Sequence, residues 1–506
     1  MNAFLPLLQG LQGPSVRVLW RGGALSDDAL GERVRGLADA LARTGVRRIA
    51  SRLDNGPEWL ALDLAIRALD AVHIPLPTFF SPAQTAHALA ASGAEALILP
   101  MGAALPDGFA AHAPHPLDET LTLLRLDAAH VALPAGTACI TYTSGTTGTA
   151  KGVCLDAATL LAVAQSLADA AAPLAPKRHL CLMPLSTLLE NVAGLYAALL
   201  SGAEIAVPPL AEVGYTGASG LDVPTLIACL HRYRPESAIL LPQLLLALVM
   251  AAEQGATLPE SLKFLAVGGG RVGPALLARA EAVGLPVYEG YGLSECASVV
   301  CLNRPGASRP GSVGRPLPHA RVSVIDGELF VEGMRCLGYL GEDNLPPGRI
   351  ATGDIGHIDA DGYVHITGRR KHMFITSFGR NVSPEWVESE LLQHPVFAQA
   401  VVHGEARPFN VAIVWPRGAA CDDMALLQAL EEVNRGLPDY AQVRDIVRAD
   451  APFSFADGLL TSNGRPRRDA ILARYSNAVD ACYANSSGSQ LHTNRFLIHT
   501  PHGVIA

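Results

Sequence analysis

The sequence predicts an α/β + α+β protein: a large N-terminal domain of parallel sheets covered by helices, containing a β-rich subdomain, and a small mobile α+β C-terminal domain. Three observations predict it. Strand-like apolar runs alternate with Ala/Leu-rich helical segments, the pattern of sheets covered by helices on both faces. From about residue 311 the texture becomes antiparallel and punctuated by turns, and beyond Lys371 a shorter mixed unit begins. A chain of 506 residues is also too long for one core.

Taken in order, "DDALGERVRGLADALARTG" reads as an amphipathic helix, "AEALILP" as a buried strand, and "AILLPQLLLALVM" as a strand leading into a buried helix. "PALLARAEAVG" reads as another helix and "LPVYEGYG" as the next strand and a turn. "ARVSVIDGELFVEG" and "GHIDADGYVHITGR" carry Asp-Gly pairs at 326–327 and 361–362, which mark hairpins. In "SPEWVESELLQHP", Ser383 is the expected cap and Pro384 sits in the first turn of a helix. "AQAVVHG" and "NVAIVWP" follow as strands. The expected boundaries are residues 1–370 with the β-rich part at about 311–370, then 371–480, with a tail or linker at 481–506.

Composition narrows the function. A formal charge of −9 with no basic run argues against a nucleic-acid partner, and the short clusters at 369–371 and 465–468 read as local anion contacts or a solvated face. Nine cysteines without a C-x-x-C pair suit reduced thiols and a cytoplasmic location, with no zinc site. The N-terminus lacks a basic region before its apolar residues, and the most apolar window is too short for a membrane span.

The stretch "TYTSGTTGTAKG", residues 141–152, gathers hydroxyls, glycine amides and one ammonium, all donors suited to phosphate. It is not a Walker loop, because Gly145 and Gly148 are three apart and Lys151 precedes Gly152; a plain surface turn is the competing reading. "AVGGGRV" runs a strand into Gly268, Gly269 and Gly270, where backbone can approach a flat ligand. "YEGYGLSECA" sets Tyr291 and Glu295 around a glycine turn at Gly292, an aromatic face beside a carboxylate suited to magnesium. "ATGDIGHIDADGY" offers Asp354 as an acceptor for ribose hydroxyls, and "ITGRRKHMFITSFGRNVSPEWVE" brings Arg369, Lys371 and a further glycine turn. Each of these alone is weak, and their order is what matters.

"YTSGTTGTAKGV", "GGG", "YGLSE", "GSVGRPLP", "TGDIGHIDADGYVHITGRRK" and "LTSNGRPRR", in this order, resemble the adenylate-forming (AMP-binding) superfamily, most closely its acyl-CoA synthetases and fatty acid–CoA ligases. The resemblance runs from about residue 20 to about 475. It implies an acid–thiol ligase: ATP and a carboxylic acid give an acyl-adenylate and pyrophosphate, then a thiol of coenzyme A or of a carrier protein's phosphopantetheine takes the acyl group. It also implies roles. Thr143, Ser144, Gly145, Thr146, Thr147, Gly148 and Lys151 would meet the β- and γ-phosphates and the departing pyrophosphate, while Gly268, Gly269, Gly270 and Tyr291 would flank the adenine and the acyl entrance. Glu295 would help hold Mg²⁺ and Ser294 would touch the α-phosphate. Asp354 and Arg369 would grip the ribose, Lys371 would lie at the hinge of the small domain, and Gly379 would lie along the pantetheine tunnel. Thr146, Lys151, Glu295 and Arg465 are the catalytic candidates.

Two positions depart from the pattern. Arg465 stands where the family has a lysine that reaches the α-phosphate and carboxylate; a planar fork does not replace a compact ammonium conservatively. In "MPLSTLLENVAG", Thr187 stands where fatty-acid enzymes have a histidine, and Glu190 and Asn191 either face the site or cap a helix. No aspartate for an α-amine is present there, and residues 240–250 are apolar, so an aliphatic or aromatic acid is expected. Two rivals stay open: a non-catalytic nucleotide-binding homologue whose activity was lost with Arg465, and an oxygenase that oxidises the adenylate.

Overall fold

A computed structural model of the chain describes residues 2–105, 114–143, 151–216, 220–342, 348–418, 421–461, 464–485, 498–500 and 503–505. Its centre is a pair of large sheets with helices between and outside them. The nine-stranded sheet has a parallel run of six strands, ordered Val287–Leu293, Phe264–Val267, Ser237–Leu240, Arg178–Leu180, Glu204–Ala206 and Val16–Trp20. Antiparallel strands close both of its edges. The eight-stranded sheet has Arg48–Ser51 between Val72–Pro75 and Ala96–Pro100, with Thr137–Thr143 and Lys151–Asp156 further out. The expected parallel sheets are thus present with mixed edges.

Helices Asp27–Thr44, Pro57–Ala68 and Ala157–Ala171 fill the space between the two sheets, sharing one core with Val18, Ile49 and Ile205. The first is bounded as its sequence dictates: the Ser26 side chain accepts from the Ala29 amide, and Gly45 ends it at φ 73°. Among the described residues one helical stretch, Ala157–Leu174, is long and apolar enough to cross a membrane. It packs as a core helix instead; burying Leu160, Val163 and Leu167 contributes about 1.5–3 kcal/mol each.

A four-stranded antiparallel sheet, Ala320–Ile325, Glu328–Gly333, Ile350–Ile358 and Val364–Arg369, forms the β-rich region. Its first hairpin turns at Asp326 and Gly327, both at positive φ, as Asp-Gly pairs do in tight hairpins. The last unit is built on strands Phe397–His403, Asn410–Pro416 and Val443–Arg448, with helices Pro384–Gln393 and Asp423–Asn434 on one face.

Three expectations need correction. The strand Val287–Leu293 runs through Gly292 without turning, and Ser294–Cys296 follows as a 3₁₀ turn. Gly292 is there because strand Ser298–Leu302 lies so close that a Cβ would come within 1.6 Å of the Ser298 carbonyl. Ser383 occupies the cap position of its helix, but its side chain makes no capping hydrogen bond. The chain after 480 is not a free tail where it is described: helix Ser476–Asn485 buries Val479 and Cys482 against Val411 and Val447. Ile498–Thr500 then pairs parallel with Val443–Arg448, and Gly503–Ile505 pairs with Ile498–Thr500. A row of unpaired edge amides on Val443–Arg448 is what those strands satisfy.

Candidate active site

The C-terminal end of the parallel sheet meets the β-rich region, and one cluster forms where they meet. Strand register places Asp354 opposite Arg369. The Arg369 Nε donates to Asp354 Oδ1 at 2.8 Å, and the Tyr291 hydroxyl, at the end of the parallel sheet, donates to Asp354 Oδ2 at 2.6 Å. Asp354 is buried, so this pairing offsets the cost of its charge. Burial and the facing Asp354 carboxylate push the Tyr291 phenol well above its ordinary range, so it remains a donor. An ionised carboxylate has about four lone-pair positions, and two donors leave Asp354 acceptor capacity for further hydroxyls.

Strand Phe264–Val267 delivers the three glycines. Gly269 sits at φ 78°, and a Cβ there would lie 2.9 Å from Leu241 Cδ2 and 3.6 Å from Leu189 Cδ2. The left-handed backbone and the press of Leu241 are why this position has no side chain. From the small unit, Arg465 Nη2 reaches across to donate to the Gly269 carbonyl at 2.7 Å. It feels the charges of Arg369, which repels it, and Asp354, which attracts it.

A second cluster lies beyond the strand carrying Tyr291. Glu295 Oε1 accepts from the Tyr339 hydroxyl at 2.7 Å. Lys151 Nζ sits 5.3 Å from the centre of the Tyr339 ring and donates to Glu342 Oε1 at 2.6 Å. Thr143 and Lys151 are register partners, so they hold the two ends of the Thr/Ser/Gly stretch together. Ser144, Gly145, Thr146, Thr147 and Gly148 lie outside the described residues. Gly152 follows Lys151 for a packing reason: a Cβ would fall 2.3 Å from Leu340 Cδ1.

The structure therefore brings together Gly268, Gly269, Gly270, Tyr291, Gly292, Asp354, Arg369 and Arg465, and places Ser294, Glu295 and Lys151 alongside. Lys371 follows Arg369 by two positions, exposed; partial burial and the Arg369 charge lower its pKa. Gly379 is apart from both clusters, at φ 73° in the exposed turn between Phe374–Ile375 and Asn381–Val382. The short basic clusters are ion-paired: Arg370 with Glu328 at 3.1 Å, and Arg468 with Glu388.

Three site residues escaped sequence reasoning. Tyr339 and Glu342 lie in "CLGYLGED", where a glycine-flanked aromatic next to acidic residues was the available signal. Glu289 lies two residues before Tyr291, 7% exposed, and burial pushes its carboxyl up to about 8, against a bond from the Val272 amide and the Arg271 charge. No local signal separates it from an ordinary strand glutamate.

Glu190 neither faces the cleft nor caps a helix. It sits on the π-helix Leu189–Tyr196, with Oε1 3.0 Å from His179 Nε2 and Oε2 accepting from the Met183 amide at 2.9 Å. Ligand atoms of His179, Cys181 and Glu190 all lie within 4.8 Å of one another, the one such group among the described residues. It is a satisfied network: His179 Nδ1 is 3.1 Å from Ser237 Oγ, and burial and Glu190 hold the Cys181 thiol protonated. Thr187 Oγ1 donates to the Pro184 carbonyl at 2.8 Å.

The fold agrees with comparisons to known proteins. The AMP-binding enzyme family matches residues 12–338, and its C-terminal domain matches residues 371–487. The chain belongs to this family. Its relatives include the long-chain-fatty-acid–CoA ligase FadD15 of Mycobacterium bovis, 26% identical over 84% of this chain and 86% of that protein. The 2-succinylbenzoate–CoA ligase of Bacillus pumilus is 28% identical over 53% of this chain and 56% of its own length. Among solved structures, the anthranilate CoA ligase AuaEII in complex with anthranoyl-AMP covers 95% of this chain and 98% of its own, with TM-score 0.77 at 20% identity. The o-succinylbenzoate CoA synthetase of Bacillus subtilis with ATP and magnesium has TM-score 0.71 at 22% identity, covering 92% of this chain and 98% of its own. Within the family, the enzyme class of this chain is that of an acid–thiol ligase.

Proposed function

We propose that this chain activates an apolar carboxylic acid, a fatty acid or an aromatic acid, with ATP and passes the acyl group to the thiol of coenzyme A. The observation that carries the reading is the junction at which Asp354, held between Tyr291 and Arg369, meets the Gly269 carbonyl and the Arg465 that donates to it. Asp354 accepts the ribose hydroxyls with Arg369 orienting it, and Tyr291 and Gly268, Gly269 and Gly270 form the flat slot for the base.

In the first step a carboxylate oxygen attacks the α-phosphorus, the bond to the bridging oxygen breaks, and pyrophosphate leaves with that electron pair. Two anions must approach, so charge neutralisation and in-line positioning dominate the barrier. Arg465 brings its cation to the slot from the small unit, and Lys151 with Thr143, Ser144, Gly145, Thr146, Thr147 and Gly148 meets the outer phosphates. Ser294 lies next to Glu295 on the 3₁₀ turn, near the α-phosphate. In the second step the thiol sulfur bonds to the acyl carbon, the carbon–oxygen bond to AMP breaks, and the thiol proton passes to solvent. Lys371 and Gly379 serve that step at the hinge and along the thiol's path.

Glu295 fits magnesium as a single carboxylate, since this ion is commonly held by one or two carboxylates plus phosphate oxygens. Mg²⁺ bound there neutralises phosphate charge. Tyr339 holds the Glu295 carboxylate in place.

The acid is read as apolar because the wall beside Gly269 and Gly270 is Leu189, Leu241 and Pro242. Glu190, the nearby carboxylate that could hold an amine, is turned into the core. Coenzyme A is favoured as acceptor because the relatives quoted are CoA ligases. A pyrophosphate-release screen over fatty, aromatic and amino acids, run with coenzyme A and with a phosphopantetheine-loaded carrier protein, tests the reading. Release with an apolar acid and coenzyme A supports it; release with amino acids alone, or with no acid at all, sinks it.

A further inference from the structure

The small unit touches the large one at a second place. Helix Pro274–Ala282 starts at Gly273, which has no side chain to cap it. Helix starts leave backbone amides without acceptors inside the helix. Here the acceptor comes from across the junction: Gln393, the last residue of helix Pro384–Gln393, sets Oε1 2.8 Å from the Leu276 amide, which also lies 3.0 Å from the Gly273 carbonyl. Gln393 is buried, and its nitrogen donates to the Ser389 carbonyl at 2.9 Å and to Glu390 Oε2 at 3.1 Å. Its own carbonyl accepts from Arg279 Nη1 at 2.9 Å.

The fit leaves no room. A Cβ on Gly273 would lie 1.8 Å from Gln393 Nε2. Gly273 has φ −73° and ψ 145°, which any residue adopts, so its bareness serves Gln393 and not the backbone. The segment 268–276 is thereby gripped at both ends by the small unit, at Gly269 by Arg465 and at Leu276 by Gln393.

We infer that Gln393 is a positioning residue: by capping helix Pro274–Ala282 from the small unit, it sets the docking that carries Arg465 to the Gly269 carbonyl. The inference rests on the role proposed above for Arg465 in the first step. Its structural half, the docking, is readable without any turnover.

The test uses the full chain with Gln393→Leu, which removes the acceptor, and Gly273→Ala, which evicts it from the other side. Hydrogen exchange is followed for the peptide 274–279, and ATP–pyrophosphate exchange is measured with decanoate and with benzoate. Exchange of the first turn should quicken about tenfold in Gln393→Leu and Gly273→Ala, the scale of one net hydrogen bond. In the same two variants the pyrophosphate-exchange kcat should fall about tenfold with the ATP KM unchanged, as expected when the population of the docked state drops. Wild-type protection of the first turn in both variants overturns the inference, as does an unchanged pyrophosphate-exchange kcat in both. Faster hydrogen exchange in a chain whose wild type activates no acid would uphold the docking and fail the proposed function.

Discussion

Arg465 and Gly269, almost two hundred residues apart in sequence, are joined by a hydrogen bond of 2.7 Å from the guanidinium to the backbone carbonyl. The bond spans the junction between the two units, so Arg465 of the small unit already reaches the glycine segment that the proposed function assigns to the nucleotide. That reach argues against Arg465 as the mark of a lost activity.

Replacing Arg465 with alanine removes the cation from the junction, and ATP–pyrophosphate exchange should fall about 10²-fold or more, the usual scale for losing a preorganised charge. Arg465→Lys should keep the exchange rate or raise it. An alanine variant exchanging at the wild-type rate would show that Arg465 plays no part in the first step.

The Asp354 pairing predicts a split in kinetic constants. Tyr291→Phe leaves Asp354 held by Arg369 alone, and the KM for ATP should rise roughly three- to tenfold while kcat changes little, as for an interaction that holds ground and transition states alike. Asp354→Asn should raise it further. Initial rates across an ATP series decide this, and an unchanged KM in both variants would remove the ribose role.

If Lys151 meets the outer phosphates as proposed, its pairing with Glu342 competes with that contact. Both side chains are about half exposed, so Glu342→Gln should shift stability by no more than about 0.5 kcal/mol. Its KM for ATP should fall about two- to fivefold as Lys151 is released toward the outer phosphates. A higher KM would mean that Glu342 positions Lys151 instead of restraining it.

Glu289 gives stability a pH dependence. Its carboxyl ordinarily titrates near 4.5 and in the fold titrates at about 8, so between these values the folded chain binds the proton that the unfolded chain has released. This contribution to stability is therefore fully present below about pH 4.5, falls as pH rises, and is gone above about pH 8. Glu289→Gln should remove that decline and stabilise the chain at pH 8 by on the order of 1–3 kcal/mol. Melting curves from pH 5 to pH 9 check it, and parallel wild-type and variant profiles would refute it.

Much of the scaffold was legible because local rules agree with the global fold. Ser26 and Gly45 bound their helix, Asp326 and Gly327 turn their hairpin, and the apolar run before Pro242 becomes a buried strand and helix. The expectations that failed did so where a distant element decided the outcome. Gly292 reads as a turn from its neighbours alone, yet Ser298 pressing on it makes it a close-approach glycine within a strand. Glu190 reads as a cap, yet His179 and the Met183 amide draw it into the core.

By itself the sequence determined the chemistry on offer: a donor-rich stretch ending at Lys151, a carboxylate at Asp354, an arginine at position 465 and an order of glycine-bearing segments that few unrelated chains share. These are properties of residue types and of covalent order. Only the tertiary structure decided that Tyr291 holds Asp354, that Tyr339 stands between Lys151 and Glu295, that Gln393 closes a helix in another unit, and that Glu289 is dry enough to keep its proton. Hydrogen bonds act over about 3 Å and desolvation depends on every atom nearby, so neither can be read along a chain before it is folded.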